Sequence, residues 1–329
     1  MKPVKLGVLG VSGHFILRCL RPLKESGLIE VYAIASRDGL KAKETSQTYG
    51  IPVSYSSYEE LLKDKSVEMV YIPLPNHLHA QWIKKSADAG KHILCEKPIA
   101  LNAPEAGDAI TYAQKKGVLV MEAFMYRFHP QWRAVRDLVR YREVGAIQSV
   151  QTFFGYNNTD SHNIRNIKEA GGGALLDIGC YAVSVPRYIY SSEPKRVFCW
   201  IERDQKFGTD VMVSGILDFG SSRAEFTIST QTHSCQTVQI NGTGGVINVE
   251  IPFNMPYDIP ARISVTTGNG TRIVETDPSD QYGIQFESFA IAVRGEKTEL
   301  TAPEDAVLNM KVIDALFRSS EKGGWEEVE

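Results

Sequence analysis

Val4-Lys5-Leu6-Gly7-Val8-Leu9-Gly10-Val11-Ser12-Gly13-His14-Phe15 decides the fold. Val4–Leu9 is a near-continuous apolar run, the pattern of a central strand in a parallel sheet. A glycine turn follows, and then an apolar-periodic helix over residues 15–26. Strand, glycine turn and helix together form the setting in which a dinucleotide binds, because backbone N–H groups at a helix start can cradle a pyrophosphate. The motif Gly-x-Gly-x-x-Gly would place glycine at Ser12 and Phe15. Small Ser12 and Gly13 still permit close approach, whereas Phe15 cannot pack as closely as glycine. A plain strand-to-helix turn is the competing reading.

The second strand, Ile29–Ala35, ends in Ser36-Arg37-Asp38. In the NAD version of such a fold, an acidic side chain about twenty residues past the glycines takes the ribose hydroxyls. Here the strand tip carries a small hydroxyl and then arginine, whose planar fork of donors suits a 2′-phosphate. Lys41 offers a second positive charge. Asp38 competes, since it can pair with either cation or accept a ribose hydroxyl. The balance favours NADP over NAD.

Strand and helix go on alternating to about residue 125. Helices are expected over 41–49, ended by Gly50, and over 58–62, with Ser57 as N-cap. Strands follow at 67–72, 92–95 and 118–122, with helices through 89 and over 104–116. This is an α/β pattern, a doubly wound parallel sheet, and it assigns a Rossmann domain to 1–124. The pattern changes at Phe124-Met125-Tyr126-Arg127-Phe128-His129-Pro130. After a helix over 131–141 come long alternating strands at 149–156, 195–202, 209–218, 222–229, 236–241, 246–251 and 261–267. Turn signals such as Asn241-Gly242 separate them. The expectation is an α+β domain over 125–329 with an open antiparallel sheet, serving substrate binding and oligomerisation. Within it Gly171-Gly172-Gly173 opens a helix over 174–190. Helices over 282–293 and 305–320 close the chain.

Two places could carry chemistry. His92-Ile93-Leu94-Cys95-Glu96-Lys97-Pro98 is a strand ending in charge, and ligands of open α/β sheets bind at the carboxyl ends of strands. Pro98 disfavours helical geometry at Lys97 and holds it extended. Lys97 is the candidate to face a nicotinamide, against the alternative of a solvated Glu-Lys turn. In the helix after the triple glycine, Asp177 and Tyr181 are four apart and share a face. Either the aspartate merely satisfies a buried tyrosine, or the pair works with Lys97. Oxidising a secondary alcohol needs a base for the hydroxyl proton. A tyrosine's free pKa near 10 is high for that role, and a nearby ammonium lowers it. Asp177 could orient a substrate hydroxyl.

Composition bounds the partners. With 329 residues, 43% hydrophobic and 23% charged, the chain is long enough for two cores. A net charge of −3 gives no electrostatic reason to expect nucleic acid or an anionic membrane. The five cysteines are scattered, without Cys-x-x-Cys, which argues for free thiols in a reducing compartment. The chain runs straight into a strand without a signal peptide, and its apolar runs are short, so a cytoplasmic protein is expected. No metal-ligand spacing is present.

Taken together, these motifs resemble the glucose–fructose oxidoreductase / inositol dehydrogenase family over nearly the full length. The resemblance is carried by the glycine turn, Ser36-Arg37, Pro75-Asn76-x-x-His79, Glu96-Lys97-Pro98, Met121-Glu122-Ala123-Phe124-Met125-Tyr126-Arg127, and the run from Gly171 to Tyr181. The ending Glu304-Asp305-Ala306 with Val312-Ile313-Asp314-Ala315 also fits. Tyrosine rather than histidine at 181 is similar to the branch with dimeric dihydrodiol dehydrogenase and NADP-dependent D-xylose dehydrogenase. The resemblance implies catalysis by Lys97 with Tyr181 and Asp177. It implies NADP contacts from Gly10, Ser12, Gly13, His14, Phe15, Ser36, Arg37, Lys41, Leu74, Pro75, Asn76, His79, Glu96, Lys97 and Arg127. Phe154 and Asn157 fall where that branch lines its substrate pocket, beside Lys97, Asp177 and Tyr181. It also implies a sugar, polyol or cyclic diol as substrate. A homodimer is expected through the outer sheet face, with Phe198, Trp200 and Ile216 pointing outward. Competing functions are a non-catalytic NADP sensor and a redox-assisted glycosidase with tightly held cofactor. A sensor would need neither Lys97 nor Tyr181.

Overall fold

The computed structural model describes residues 2–329. The chain forms two compact units. One comprises the residues up to Ala100 with Pro104–Met125 and Asp280–Val307; the other comprises Leu101–Ala103, Tyr126–Ser279 and Leu308–Glu329.

The first unit holds six strands: β1 (Val4–Leu9), β2 (Ile29–Ala35), β3 (Val53–Tyr55), β4 (Met69–Ile72), β5 (His92–Cys95) and β6 (Val120–Glu122). Their order is β3-β2-β1-β4-β5-β6 and every pairing is parallel. The order reverses between β1 and β4, which is where an open α/β sheet binds ligand. Helices α1 (Leu20–Glu25), α2 (Gly39–Tyr49), α3 (Tyr58–Lys63), α4 (His79–Asp88) and α5 (Ala103–Lys115) connect the strands. The expected caps are in place: the Ser57 hydroxyl accepts from Glu60 N–H, and Gly50 ends α2 in the left-handed conformation. The helix after the glycine turn opens with a π-turn, Phe15–Cys19, before α1.

One segment lies away from its place in the chain. Helix α8 (Gln281–Val293) packs with the first unit rather than with the sheet that precedes it. Phe286 stacks edge-on against Tyr71, Asp280 pairs with Arg21, and Ser26 donates to Glu287.

The second unit is built on nine strands in the order β14-β13-β12-β11-β7-β10-β9-β8-β15. In chain order these are β7 (Ile147–Asn157), β8 (Arg196–Arg203), β9 (Asp210–Asp218), β10 (Arg223–Ser229), β11 (Gln231–Gly242), β12 (Gly245–Val249), β13 (Ala261–Thr267), β14 (Gly270–Thr276) and β15 (Glu326–Glu327). The sheet is mixed rather than purely antiparallel: β7 and β10 run parallel and the remaining pairs antiparallel. Two long helices, α6 (Pro130–Arg140) and α7 (Cys180–Tyr190), pack on one face, and α9 (Pro303–Lys322) follows α8. On the other face the register sets Phe198 opposite Ile216 and Trp200 opposite Ser214, and Trp200 stays 73% exposed. That outward placement is the expected one. Among the described residues all five cysteines are free, no helix is long and apolar enough to cross a membrane, and no cluster suits a metal ion.

Candidate active site

The glycine turn leaves β1 at the switch point. Gly10 has φ +129, and a Cβ there would lie 3.0 Å from Leu74 Cδ2, so the Leu74 side chain closes directly over the turn. Ser12, at the place of a second glycine, caps the helix start: its hydroxyl accepts from Phe15 N–H at 3.0 Å. Phe15 itself is fully buried against Tyr71. Its N–H and its ring are thus both engaged inside the unit. Gly13 lies open, with no atom within 4 Å of where its Cβ would be. The turn therefore keeps a cradle that a pyrophosphate fits.

At the tip of β2, Asp38 is not free to compete for the ribose. Its carboxylate N-caps α2, accepting from Lys41 N–H at 3.1 Å. Ser36 is buried and its hydroxyl accepts from Asp38 N–H. Arg37 and Lys41 remain exposed at this tip. Two cations and no uncommitted acid suit a phosphate better than a pair of hydroxyls.

Glu96 and His79 both serve the inside of the unit. Glu96 accepts from the Tyr71 hydroxyl at 2.5 Å, and His14 Nε2 lies 3.6 Å from the same oxygen. Burial works to raise the Glu96 carboxyl, but the His14 and Lys97 charges and the hydrogen bonds outweigh it and bring it down to about 2. His79 is fully buried, with Nδ1 2.8 Å from the Pro98 carbonyl and Nε2 2.8 Å from the Leu74 carbonyl. Its ring ties the segment after β4 to the Lys97–Pro98 turn. That peptide bond is cis, and Lys97 is half-buried beside it. Pro75 and Asn76 are also half-buried, in the loop that opens α4.

In the second unit the triple glycine has a steric reason. A Cβ on Gly172 would sit 2.5 Å from the Arg165 carbonyl oxygen, and one on Gly173, at φ +118, 2.1 Å from Asp210 Oδ1. Asp210 is buried and its carboxylate accepts from Leu175 N–H at 2.6 Å, anchoring the helix start. A π-turn, Leu175–Gly179, follows, and α7 continues from it. Asp177 lies in the π-turn and Tyr181 in the first turn of α7, so the two elements aim them separately. Asn309 donates to the Cys180 carbonyl there.

Asp177 Oδ2 accepts from the Tyr156 hydroxyl at 2.6 Å and from Arg165 Nε at 3.0 Å. Burial and the Asp177 charge push the Tyr156 phenol up, so it stays protonated and donates. The Asp177 charge likewise raises Arg165, whose field also reaches Tyr181. Tyr181 is buried among rings: Phe253 at 4.9 Å, Phe154 at 5.8 Å and Tyr126 at 5.9 Å between centroids. Phe154 stacks on Phe253, whose loop is clamped by Trp132 and Gln131 donating to the Pro252 carbonyl. Arg127 donates to the Ser184 hydroxyl at 2.7 Å and covers the Tyr188 ring. Asn157 is exposed at the end of β7; strand alternation turns it away from the side that carries Phe154 and Tyr156. The β7 residue that meets Asp177 is therefore Tyr156. Sequence reasoning missed Arg165, Tyr156 and Phe253. Of these only Tyr156 had a usable signal, its even spacing from Phe154 on one strand.

A buried phenol beside a carboxylate–guanidinium pair, and a parallel sheet with a glycine turn at its switch point, define a two-domain dinucleotide-binding oxidoreductase. Residues 4–124 match the oxidoreductase family with NAD-binding Rossmann fold, and residues 132–248 match the GFO/IDH/MocA C-terminal domain. The chain belongs to the GFO/IDH/MocA oxidoreductase family. It is 38% identical to the oxidoreductase ORF334 of Rhizobium meliloti over 100% of both chains. It is 37% identical to D-xylose 1-dehydrogenase (NADP(+)) 2 of Haloferax volcanii, over 98% of this chain and 99% of that one. Its fold matches a 3-ketoreductase from Actinomadura kijaniata, solved with NADP and TDP-benzene, with a TM-score of 0.91 and 28% identity over 96% and 98% of the chains.

Proposed function

We propose that this protein is an NADP-dependent dehydrogenase or reductase acting on a hydroxyl-bearing carbon of a sugar, polyol or cyclic diol, and that it works in the cytoplasm as a homodimer. The observation that carries the catalytic reading is Tyr181, a phenol enclosed by Tyr126, Phe154 and Phe253 and lying in the field of the Arg165–Asp177 pair. The relatives support the substrate class: one is a D-xylose dehydrogenase, and a trans-1,2-dihydrobenzene-1,2-diol dehydrogenase of Bos taurus is 33% identical over 78% of this chain and 75% of that one. The open sheet face with Trp200, Phe198 and Ile216 supports a face-to-face dimer.

Gly10, Ser12, Gly13 and His14 would hold the pyrophosphate, and Arg37 with Lys41 the 2′-phosphate. NADP bound there supplies the acceptor or donor of hydride. The proton falls to the chain. In oxidation the substrate hydroxyl gives its proton to the Tyr181 oxygen; in reduction Tyr181 returns it. The positive charges of Arg165 and Lys97 favour the phenolate and bring its pKa towards working pH. Asp177, fixed by Tyr156 and Arg165, presents its carboxylate to a second substrate hydroxyl. The aromatic enclosure excludes water from the exchange.

A panel of aldoses, polyols and cyclic diols with NADP and NAD, followed by absorbance of the reduced cofactor, tests the reading. Tyr181→Phe and Lys97→Met should each lower kcat by roughly 10² or more, the usual worth of a positioned acid–base group. The double variant should be little worse than either, since the two act as a unit. Turnover by Tyr181→Phe within a few-fold of wild type would sink the assignment.

A further inference from the structure

Asn309 lies in α9 and has no part in the chemistry above, yet it is fully buried and both ends of its amide are engaged at the start of α7. Its Oδ1 accepts from Arg187 at 3.0 Å, and its Nδ2 donates to the Cys180 carbonyl at 3.2 Å. The amide has one orientation. A guanidinium can only donate, so the oxygen has to face Arg187 and the N–H groups have to face Cys180. Arg187 is itself held. Its side chain is 1% exposed, and it grips the two carboxylate oxygens of Glu193 at 2.5 and 2.9 Å. Such a two-point pair fixes the plane of the guanidinium and neutralises its buried charge.

Cys180 is where the π-turn Leu175–Gly179 passes into α7, and the next residue is Tyr181. A π-turn carries one residue more than an α-turn and is rarely stable without support from its surroundings. Were the extra residue taken up into the α-helix, the chain before the junction would turn by about 100° round the axis relative to the chain after it. Asp177 lies before the junction, where Tyr156 and Arg165 donate to its carboxylate. Tyr181 lies after it, among Tyr126, Phe154 and Phe253. Their relative direction therefore depends on where the π-turn stops. Two side-chain donors mark that place: the Cys180 thiol to the Asp177 carbonyl at 3.4 Å, and the Asn309 amide to the Cys180 carbonyl. The first is local. The second comes from another helix and ties the junction to it. Pro186, inside α7, has no N–H to give to the ladder, so the helix beyond the junction lends it less support.

We infer that Asn309 is a positioning residue that fixes the end of the π-turn, and with it the direction of the Tyr181 phenol relative to the Asp177 carboxylate. It acts through the Cys180 carbonyl and touches no reacting atom. The inference rests on the reading of Tyr181 as the proton shuttle and deepens it.

The test compares the full-length wild type with Asn309→Leu and Asn309→Asp. Leucine removes both amide bonds at similar size. Aspartate keeps an acceptor for the buried Arg187, which guards against loss of the fold, and removes only the donor. What the two variants share is the lost bond to Cys180. The measurements are Tm, NADPH affinity, kcat and KM, and the ionisation of Tyr181. The ionisation is read from the basic limb of the pH–rate profile and, without substrate, from the ultraviolet titration difference between each protein and its Tyr181→Phe counterpart. Both variants should lower kcat about tenfold and leave KM and NADPH affinity within about twofold. Both should move the ionisation upward by about one pH unit, as the phenol turns from the charges that favour its anion. Ile263→Ala, a cavity in β13, supplies a loss of stability by itself and should leave kcat and the ionisation unchanged. Asn309 variants that melt lower yet keep the kcat and ionisation of wild type overturn the inference while the Tyr181 reading stands. So does an Ile263→Ala protein that loses both to the same degree. Turnover by Tyr181→Phe close to that of wild type overturns both.

Discussion

Gly173→Ala measures how firmly the second unit fixes the start of the helix that carries Tyr181. The residue has φ +118, a region that costs roughly 1–3 kcal/mol for a residue with a side chain. The added carbon would lie 2.1 Å from Asp210 Oδ1 and 2.8 Å from its Cγ, so the carboxylate has to swing away. Asp210 is buried and is the acceptor for Leu175 N–H. Losing a charged acceptor from a buried donor costs about 1.5–3 kcal/mol. The two costs together come to about 4 kcal/mol, which for a unit of this size lowers Tm by roughly 10 °C. Because the π-turn with Asp177 and the turn with Tyr181 follow at once, kcat should fall as well, by about tenfold or more. A double-mutant cycle separates the causes. Asp210→Ala removes the obstacle but strands the same N–H, so Gly173→Ala/Asp210→Ala should fall about 2 kcal/mol short of additivity. A Gly173→Ala protein that melts within about 2 °C of wild type, or a strictly additive cycle, refutes the close approach as the reason for the glycine.

Two further outcomes are expected. Arg165→Met keeps the stem and removes the cation that pairs with Asp177 and acts on Tyr181; the basic limb of the pH–rate profile for oxidation should move upward and kcat fall about tenfold, and an unmoved limb would show that Arg165 does not tune the phenol. His129 is fully buried, N-caps α6 through Nδ1, and burial pulls it down to about 4 from its ordinary 6.5. As pH falls below 6.5 the unfolded chain takes the proton first, so this stabilisation is complete above about pH 6.5 and is lost towards pH 4. Between pH 7 and 5 the loss is about 2 kcal/mol by linkage. Urea unfolding at the two pH values should show it, and His129→Asn, which keeps a capping oxygen, should abolish the difference.

The parts of the molecule legible in the sequence were those set by local rules. Apolar runs bounded by glycine gave β1, β2 and β5 within a residue or so, and Ser57 and Gly50 marked their helix ends because capping is short-range. The outward set Phe198, Trp200 and Ile216 followed from strand period alone. The parts not legible depend on partners distant in the chain. Strand β3 has three residues, and β14 is mostly exposed and polar, so neither has an apolar face to read. The parallel pairing of β7 with β10 is a matter of register across some 70 residues. Helix α8 returns to the first unit because Tyr71 and Arg21 receive it, and nothing in its own period says so. Arg165 sits in an irregular loop, with its carboxylate partner twelve residues on in a helix. The same holds at His79, whose ring meets backbone carbonyls from two different segments that no local pattern foretells.

The two glycine entries share a construction, and it accounts for the odd glycine turn. In each, a glycine admits another group to the backbone, a side-chain oxygen caps an N–H of the first helical turn, and a π-turn follows. Asp210 does the capping from a distant strand, whereas Ser12 does it locally for Phe15. Ser12 at the place of a second glycine therefore works inward: it consumes the Phe15 N–H that a ligand would otherwise meet. The N–H groups of Val11, Ser12, Gly13 and His14 have no acceptor among the described residues and are open to an anion. At the tip of β2 the Asp38 carboxylate caps α2, while Arg37 and Lys41 stay exposed.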